Sequence, residues 1–347
     1  LRIRGERRRE GVGVLWQMDT QGDKLPLTAD ILGRMDMGRV FKDHGAVVNS
    51  LDFSKDGSLM VSSGEDQSIR LYNCETGKME KACFCKKYGC DKVSFTHHNN
   101  TVVAASSNNW DYTLRYLSLY DNSYLRFFKG HRDKVTSLSM SPLNDSFMSA
   151  SLDSTARLWD LRTNPCQALI HLPSGYNAVG FDPSGEVLGV ASSGARCIKL
   201  FDSKNLDQGP FDTFFLDCPA VEITQIKFSN DGHAILLVTN QPLCLLVDAY
   251  SGKTLGEITD YSNSTGAMIE ASFTPDGKHV LVGGDDGTIK IFSRETVQLV
   301  GTLTGHVGPV TALKMNPAYL MMGSACENVV MWIPSEDSGG GASSTSS

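Results

Sequence analysis

A few residues in the middle of the chain limit its folding more than anything else: Gly130-His131, Ser149, Asp153 and Trp159-Asp160, followed by Leu161-Arg162. At these offsets His131 falls just before a first strand, Ser149 on a second, Asp153 in the next turn and Trp159 on a third. Indole N–H, hydroxyl, imidazole and carboxylate can then form one hydrogen-bonded chain that satisfies polar groups buried inside a four-stranded sheet. The expected role of this tetrad is structural. It holds a sheet together and performs no chemistry on a substrate.

The pattern repeats in weakened form. Turn-forming clusters recur at Ser54-Lys55-Asp56-Gly57, His98-Asn99-Asn100, Ser141 to Asp145, Asp182-Pro183-Ser184-Gly185, Ser229-Asn230-Asp231-Gly232, Thr274-Pro275-Asp276-Gly277 and Asn316-Pro317. Successive turns, from Gly57 to Pro317, are 43, 45, 40, 47, 45 and 40 residues apart, the period of about 40 to 45 residues that marks propeller blades. Each turn follows a strand-like run such as Val48 to Phe53, Val135 to Met140 or Ile223 to Phe228. Each precedes a short apolar one, as at Leu59 to Val61, Phe147 to Met148, Ala234 to Val238 or Val280 to Val282. With the Gly-His and Trp-Asp pairs in register, the chain resembles the WD40 proteins, which implies an all-β fold, a seven-bladed WD40 β-propeller.

Blade one offers His44, Asp66 and Tyr72, with Tyr in the Trp position. Blade six has Asp286 and Phe292 without Gly-His, and blade seven has His306 and Trp332 with Cys326 where the Asp would sit. Blades two, four and five depart further and are expected to rely on apolar packing between sheets. Blade seven runs out of chain after Trp332-Ile333-Pro334, so Gly38 to Phe41 is expected to supply its outer strand, closing the ring and removing open edges. The propeller is therefore expected over residues 37–334, after an N-terminal extension, residues 1–36, with a short helix around Thr28 to Met35. A disordered Gly/Ser tail is expected over 335–347. Residues 1–17 are Arg-rich and unlike the rest. They are expected to be an extension ahead of a native start at Met18. A transit or signal peptide is disfavoured because Val12 to Trp16 is short and Glu6 and Glu10 interrupt the basic run.

The net charge is −7, and residues 1–17 carry five Arg against two Glu, so the remainder carries −10. Such a surface lacks the electrostatic footprint of direct DNA binding, and protein partners are expected instead. Nine cysteines without a paired CxxC framework fit a reducing compartment. Cys83, Cys85 and Cys90, with His97 and His98 downstream, come nearest to a metal cluster. Cys-x-Cys alternates faces along a strand, so no metal is expected. No nucleophile elbow, phosphate loop or zincin helix appears; no enzyme activity and no cofactor are expected. His44, His131 and His306 read as buried hydrogen-bonding residues, and Asn263-Ser264-Thr265 as an accidental glycosylation sequon. Function is then expected in loops. Lys86-Lys87-Tyr88-Gly89 precedes the first strand of blade two and Asn108-Asn109-Trp110-Asp111-Tyr112 joins its second and third, both emerging on one face. Lys86, Lys87, Tyr88, Trp110 and Tyr112, extended by Arg132 and Lys134, form the candidate rim for an acidic or phosphorylated peptide.

Lys86-Lys87-Tyr88-Gly89, Thr113 to Leu119, Leu138 to Pro142, Arg157 to Arg162, Leu206 to Phe211 and Glu270 to Pro275 together resemble one propeller family in particular. It is that of WD repeat protein 82 and yeast Swd-two, a COMPASS histone methyltransferase subunit, and the likeness runs from about Leu27 to Pro334. The resemblance implies a non-catalytic nuclear subunit that associates with the SET-domain enzyme methylating lysine 4 of histone H3. It also implies a link to the phosphorylated C-terminal repeat of RNA polymerase II, and membership of transcription termination assemblies that contain a protein phosphatase. No catalytic residue carries over, and no membrane partner is implied. A second reading, from another class, is that Trp159-Asp160-Leu161-Arg162 fits the WDxR pattern of substrate receptors for cullin-RING ubiquitin ligases.

Overall fold

Seven four-stranded antiparallel sheets make up the computed structural model, which describes residues 27–335 and the backbone of Ile3–Arg4 and Gln17–Met18. Those two short strands pair with each other. The rest of the Arg-rich stretch and the tail beyond Ser335 lie outside the described residues.

From the innermost strand outward, blade one is Val48–Phe53, Leu59–Gly64, Ser68–Asn73 and Lys78–Phe84. Blade two is Val93–Phe95, Thr101–Ala105, Leu114–Ser118 and Ser123–Phe128. Blade three is Val135–Met140, Ser146–Ser151, Thr155–Asp160 and Ala168–His171. Blade four is Asn177–Phe181, Val187–Ser192, Cys197–Asp202 and Asp212–Phe215. Blade five is Ile223–Phe228, Ala234–Thr239, Cys244–Asp248 and Thr254–Ile258. Blade six is Ala271–Phe273, His279–Gly283, Thr288–Ser293 and Leu299–Thr304. Blade seven is Ala312–Met315, Met322–Ala325, Val329–Pro334 and, from the other end of the chain, Met35–Phe41.

Local chemistry explains the repeat. In the first turn of blade one the Ser54 hydroxyl donates to Asp56 at 2.6 Å and Asp56 accepts the Ser58 N–H at 3.0 Å. Ser229 with Asp231 and Thr274 with Asp276 make the same contact at 2.5 and 2.7 Å, so one short polar pair sets each hairpin. The second strands then lie between neighbouring blades and are covered on both faces. Ala234–Thr239 is buried at every position, and such strands read as continuous apolar runs rather than as alternation.

Hydrophobic clusters fill the interfaces between blades. Val61, Ile69, Cys83, Cys85, Cys90 and Val93 pack blade one on blade two, and Ala178, Ile198, Leu200, Ile226, Leu237 and Val247 pack blade four on blade five. Blades five and six meet through Leu236, Leu246, Ala271 and Val280. Blades four and five have no tetrad, and these cores take its place.

Closure occurs as the shortage of strands demanded. Met35–Phe41 pairs antiparallel with Val329–Pro334, a ladder starting two residues before the expected boundary at 37, with a bulge between Met37 and Arg39. A Cβ on Gly38 would lie 2.8 Å from the Ile333 side chain, so glycine lets the bulge pack closely there without displacing Ile333. The helix expected around Thr28 to Met35 is shorter, Ala29–Gly33, capped by the Thr28 hydroxyl accepting the Ile31 N–H at 3.4 Å. It ends because Met35 enters the sheet. Leu32 and Met35 are buried with Ile291, Leu303 and Trp332 between blades six and seven, so these residues pack as part of the propeller rather than as an extension.

The tetrads sit inside the blades. In blade three the Trp159 indole N–H donates to the Ser149 hydroxyl at 2.8 Å, which lies 2.7 Å from His131 Nε2, and His131 Nδ1 meets Asp153 at 3.0 Å. This order fixes the tautomer, with Ser149 donating to Nε2 and the Nδ1–H donating to the carboxylate. Thr155 also donates to Asp153 at 2.6 Å. Burial works to raise the Asp153 pKa, but the hydrogen bonds from Thr155, the Arg132 N–H and His131 outweigh it and hold it below the ordinary range. Blade one repeats the chain through Ser62, His44 and Asp66, with Tyr72 fully buried in the Trp position.

In blade seven Trp332 donates to Ser324 at 2.6 Å, His306 Nε2 lies 2.6 Å from Ser324, and Nδ1 reaches Cys326 Sγ at 3.1 Å. With no carboxylate opposite, burial lowers the His306 pKa to about 4. A histidine depressed in the folded state leaves the unfolded chain binding more protons between about pH 4 and 6.5. Its contribution to stability is therefore complete above pH 6.5 and lost as the pH falls toward 4. Cys326→Asp supplies the missing charge and should flatten this pH dependence, read as melting temperature between pH 7 and 4.5. An unchanged slope would refute this assignment of His306.

Candidate partner-binding rim

The two loops of blade two meet on one face. Gly89 has φ +68°, and a Cβ there would lie 1.9 Å from the Ser107 hydroxyl, so only glycine lets the first loop close onto the second. Asn108 Nδ2 donates to Lys87 O at 2.9 Å and the Ser106 hydroxyl donates to Tyr88 O. The Tyr112 hydroxyl donates back to Asn109 O at 2.7 Å, shaping its own loop.

This scaffold brings Tyr88 and Trp110 to a ring separation of 6.1 Å. Trp110 is 66% exposed, far above the norm for an indole. Lys87 Nζ stands 5.0 Å from the Tyr88 ring, within cation–π range. Beneath them lies a group that sequence reasoning missed. The Arg115 guanidinium is 3.7 Å from the centre of the Tyr88 ring, and the residue is buried. It pairs with Asp111 and donates to Thr113 O at 3.0 Å. Burial would raise the Asp111 pKa, but hydrogen bonds from Thr113 and the charge of Arg115 keep it below the carboxylate norm. Tyr124, from the outer strand, stands edge-on to Tyr88 at 5.8 Å and near Phe127 at 5.6 Å.

The other expected rim residues are placed less centrally. Lys86 is exposed and turns toward Phe84 on the outer wall, 5.8 Å from that ring. Lys134 forms an ion pair with Asp91 at 3.0 Å, tying blade three to the entry of blade two. Burial would lower its pKa, but Asp91 outweighs this and raises it. Arg132 is exposed beside the blade-three tetrad, its N–H donating to Asp153 at 2.9 Å. The structure therefore brings together Lys87, Tyr88 and Trp110, with Tyr112 shaping the second loop; it places Lys134, with Asp91, in a separate cleft beside Glu65 and Tyr176 and sets Lys86 and Arg132 at the margins.

The central channel, of about 510 Å3 on one side, also escaped sequence reasoning. Its innermost strands carry a charged belt. Asp52 binds Lys314 and accepts the Ser94 hydroxyl and the Phe95 N–H, both at 2.8 Å. Glu270 accepts from Gln225 at 2.6 Å, from Lys227 at 3.3 Å and from the Leu313 N–H at 2.8 Å. Burial works to raise the Glu270 pKa, yet Lys227 and Lys314 hold it below its usual value. These contacts join blades one, two, five, six and seven. Among the described residues no group of three His, Cys, Asp or Glu is arranged to hold a metal ion. Cys83, Cys85 and Cys90 belong to the apolar core between blades one and two. Asn263, in the sequon, is 3% exposed and donates to Ala267 O at 3.2 Å.

Residues 36–73, 122–160 and 257–293 match the model of the WD domain, G-beta repeat. WD repeat-containing protein 82 of Drosophila melanogaster is 42% identical over 318 residues, 91% of this chain and 99% of that protein. This chain belongs to that family. Set1 complex component swd2 of Schizosaccharomyces pombe is 36% identical over 76% of each chain. COMPASS component SWD2 of Saccharomyces cerevisiae is 32% identical over 85% of this chain and 93% of that protein. The two yeast relatives are named as components of complexes.

Proposed function

We propose that the chain is a nuclear, non-catalytic scaffold and recruitment subunit of a COMPASS-type histone H3 lysine-4 methyltransferase complex, with the SET-domain enzyme and other COMPASS subunits as partners. The blade-two rim links this complex to the phosphorylated C-terminal repeat of RNA polymerase II, and the same surface serves termination assemblies that contain a phosphatase. One observation carries the reading: Lys87, Tyr88 and Trp110 assemble from separate segments into an exposed aromatic and cationic site seated on the buried Arg115, while the tetrad histidines are engaged within their blades. Aromatic anchors beside a cation suit an extended phosphorylated peptide.

Arg162 of the WDxR tetrapeptide binds its own Asp160 at 2.6 Å, which accounts for Trp159-Asp160-Leu161-Arg162 within the blade. Purification of the tagged native protein from nuclei separates the readings. Recovery of the SET-domain methyltransferase and its companions is expected, and the purified chain alone should transfer no methyl group to histone H3. Recovery of a cullin adaptor without them would overturn the proposal.

A further inference from the structure

Away from the rim, the outer wall of blade four has features that the scaffold role leaves unused. An outer strand presents unpaired main-chain groups that can template pairing with another chain, and β-bulges are one way to blunt such an edge. The outer strands of blades one, two, five, six and seven each carry a register shift. Asp212–Phe215 does not: Cys197 to Phe215, Ile198 to Phe214, Lys199 to Thr213 and Leu200 to Asp212 pair in uninterrupted register. Ala168–His171 in blade three is also regular, but it carries no phenylalanine and no carboxylate.

Phe215 is 79% exposed and Phe211, just before the strand, is 60% exposed, while Phe214 between them is buried. Within the strand, alternation sets Thr213 and Phe215 on one face, while Phe211 lies just before the regular ladder, its N–H donating inward to Leu200 O at 2.9 Å. The Leu216 N–H donates inward to Arg196 O at 2.8 Å, so alternation turns the Thr213 and Phe215 N–H groups to the free edge. Thr213 N–H is meanwhile covered by the Asp212 carboxylate at 2.7 Å. Asp207, Asp212 and Asp217 are all exposed, and no Lys or Arg occurs from residue 205 to residue 226. Exposed aromatic side chains, a regular edge and exposed carboxylates thus coincide along this stretch of chain.

We propose that this edge receives an extended basic segment of a partner protein, which adds as a fifth strand to blade four. Its alternate lysines or arginines lie on the Asp212 face, the apolar side chains between them cover Phe215, and Asp207 and Asp217 flank the strand with further negative charge. A cation that draws the Asp212 carboxylate outward frees the Thr213 N–H for the incoming strand. This surface is separate from the blade-two rim and stands independently of the recruitment reading.

The test uses the full-length chain and a labelled ten-residue peptide of alternating lysine and valine, followed by fluorescence anisotropy. Saturable binding is expected, at least tenfold weaker for Phe215→Ala and for Asp212→Lys and unchanged for Lys87→Glu with Trp110→Ala. N-methylation of the peptide at every second residue should abolish binding on one registration of the methyl groups, as lost main-chain bonds require. Equal binding by both N-methylated forms, by a charge-reversed glutamate-valine peptide or by Asp212→Lys would overturn strand addition by a basic segment. Binding that appears only after removal of residues 1–17 would show that the chain's own arginine-rich segment occupies the edge, which also overturns the proposal. Phe215 is exposed, so melting temperatures of the variants should match the parent, and a fall beyond a few degrees would refute its assignment as a docking residue.

Discussion

Deleting Gly38–Phe41 is expected to destabilise the propeller by on the order of 5 kcal/mol. Four residues of the closing ladder are lost, at about 1 kcal/mol for each main-chain hydrogen bond. Phe41, whose ring lies 4.5 Å from that of Tyr72, adds about 2 kcal/mol of apolar burial. In a domain of this size such a loss lowers the melting temperature by roughly 10 °C. It also exposes the edge of Val329–Pro334, so aggregation on heating should rise. Removal of residues 1–17, which supply no strand to any of the seven blades, is expected to leave the transition in place. Equal melting temperatures for the Gly38–Phe41 deletion and the full chain would contradict closure.

Trp159→Ala should cost about 3 to 5 kcal/mol, the usual range for a large aromatic removed from a core. Trp159 is fully buried, with Phe128 at 5.7 Å and Phe147 at 6.4 Å. Its loss also removes the donor that satisfies Ser149. Asp153→Asn should cost less, because no core volume is lost: Thr155 bonds one carboxylate oxygen while the Arg132 N–H and His131 bond the other, so the single amide oxygen keeps one of these sets and loses the other. Urea unfolding should rank the two variants in that order. A Trp159→Ala protein that unfolds like the parent would show that the tetrad does not support the blade.

How far the sequence could be read depended on whether a feature is local. The first turns were legible because Ser-x-Asp-Gly and its relatives encode a hairpin within five residues. Gly130-His131 and Trp159-Asp160 were legible because their offsets are fixed by strand length. Closure followed from a shortage of strands in blade seven, although the start at Met35 did not, since the bulge at Gly38 depends on the Ile333 side chain across the ladder. The rim loops were recognisable by composition. Arg115 was not: it occupies the same third-strand position as Arg70 and Arg157, and only the approach of Tyr88 from another loop turns it into a buried platform. Lys86 lies beside Lys87 in sequence yet faces Phe84 instead. The belt of Asp52, Lys314, Lys227 and Glu270 joins residues more than 40 positions apart, across blades, and no single segment discloses it.

The central claim is that the rim of blade two recruits the methyltransferase partners without supporting the fold. Its most direct test is a combined Lys87→Glu and Trp110→Ala variant, replacing the native protein in cells and also purified. Both residues are exposed, so the melting temperature should match that of the parent. Affinity for partner or phosphorylated polymerase peptides should fall about thirtyfold, the equivalent of about 2 kcal/mol at an interface hot spot, and histone H3 lysine-4 methylation should drop with it. Undiminished affinity and methylation in a fully folded variant would contradict the account.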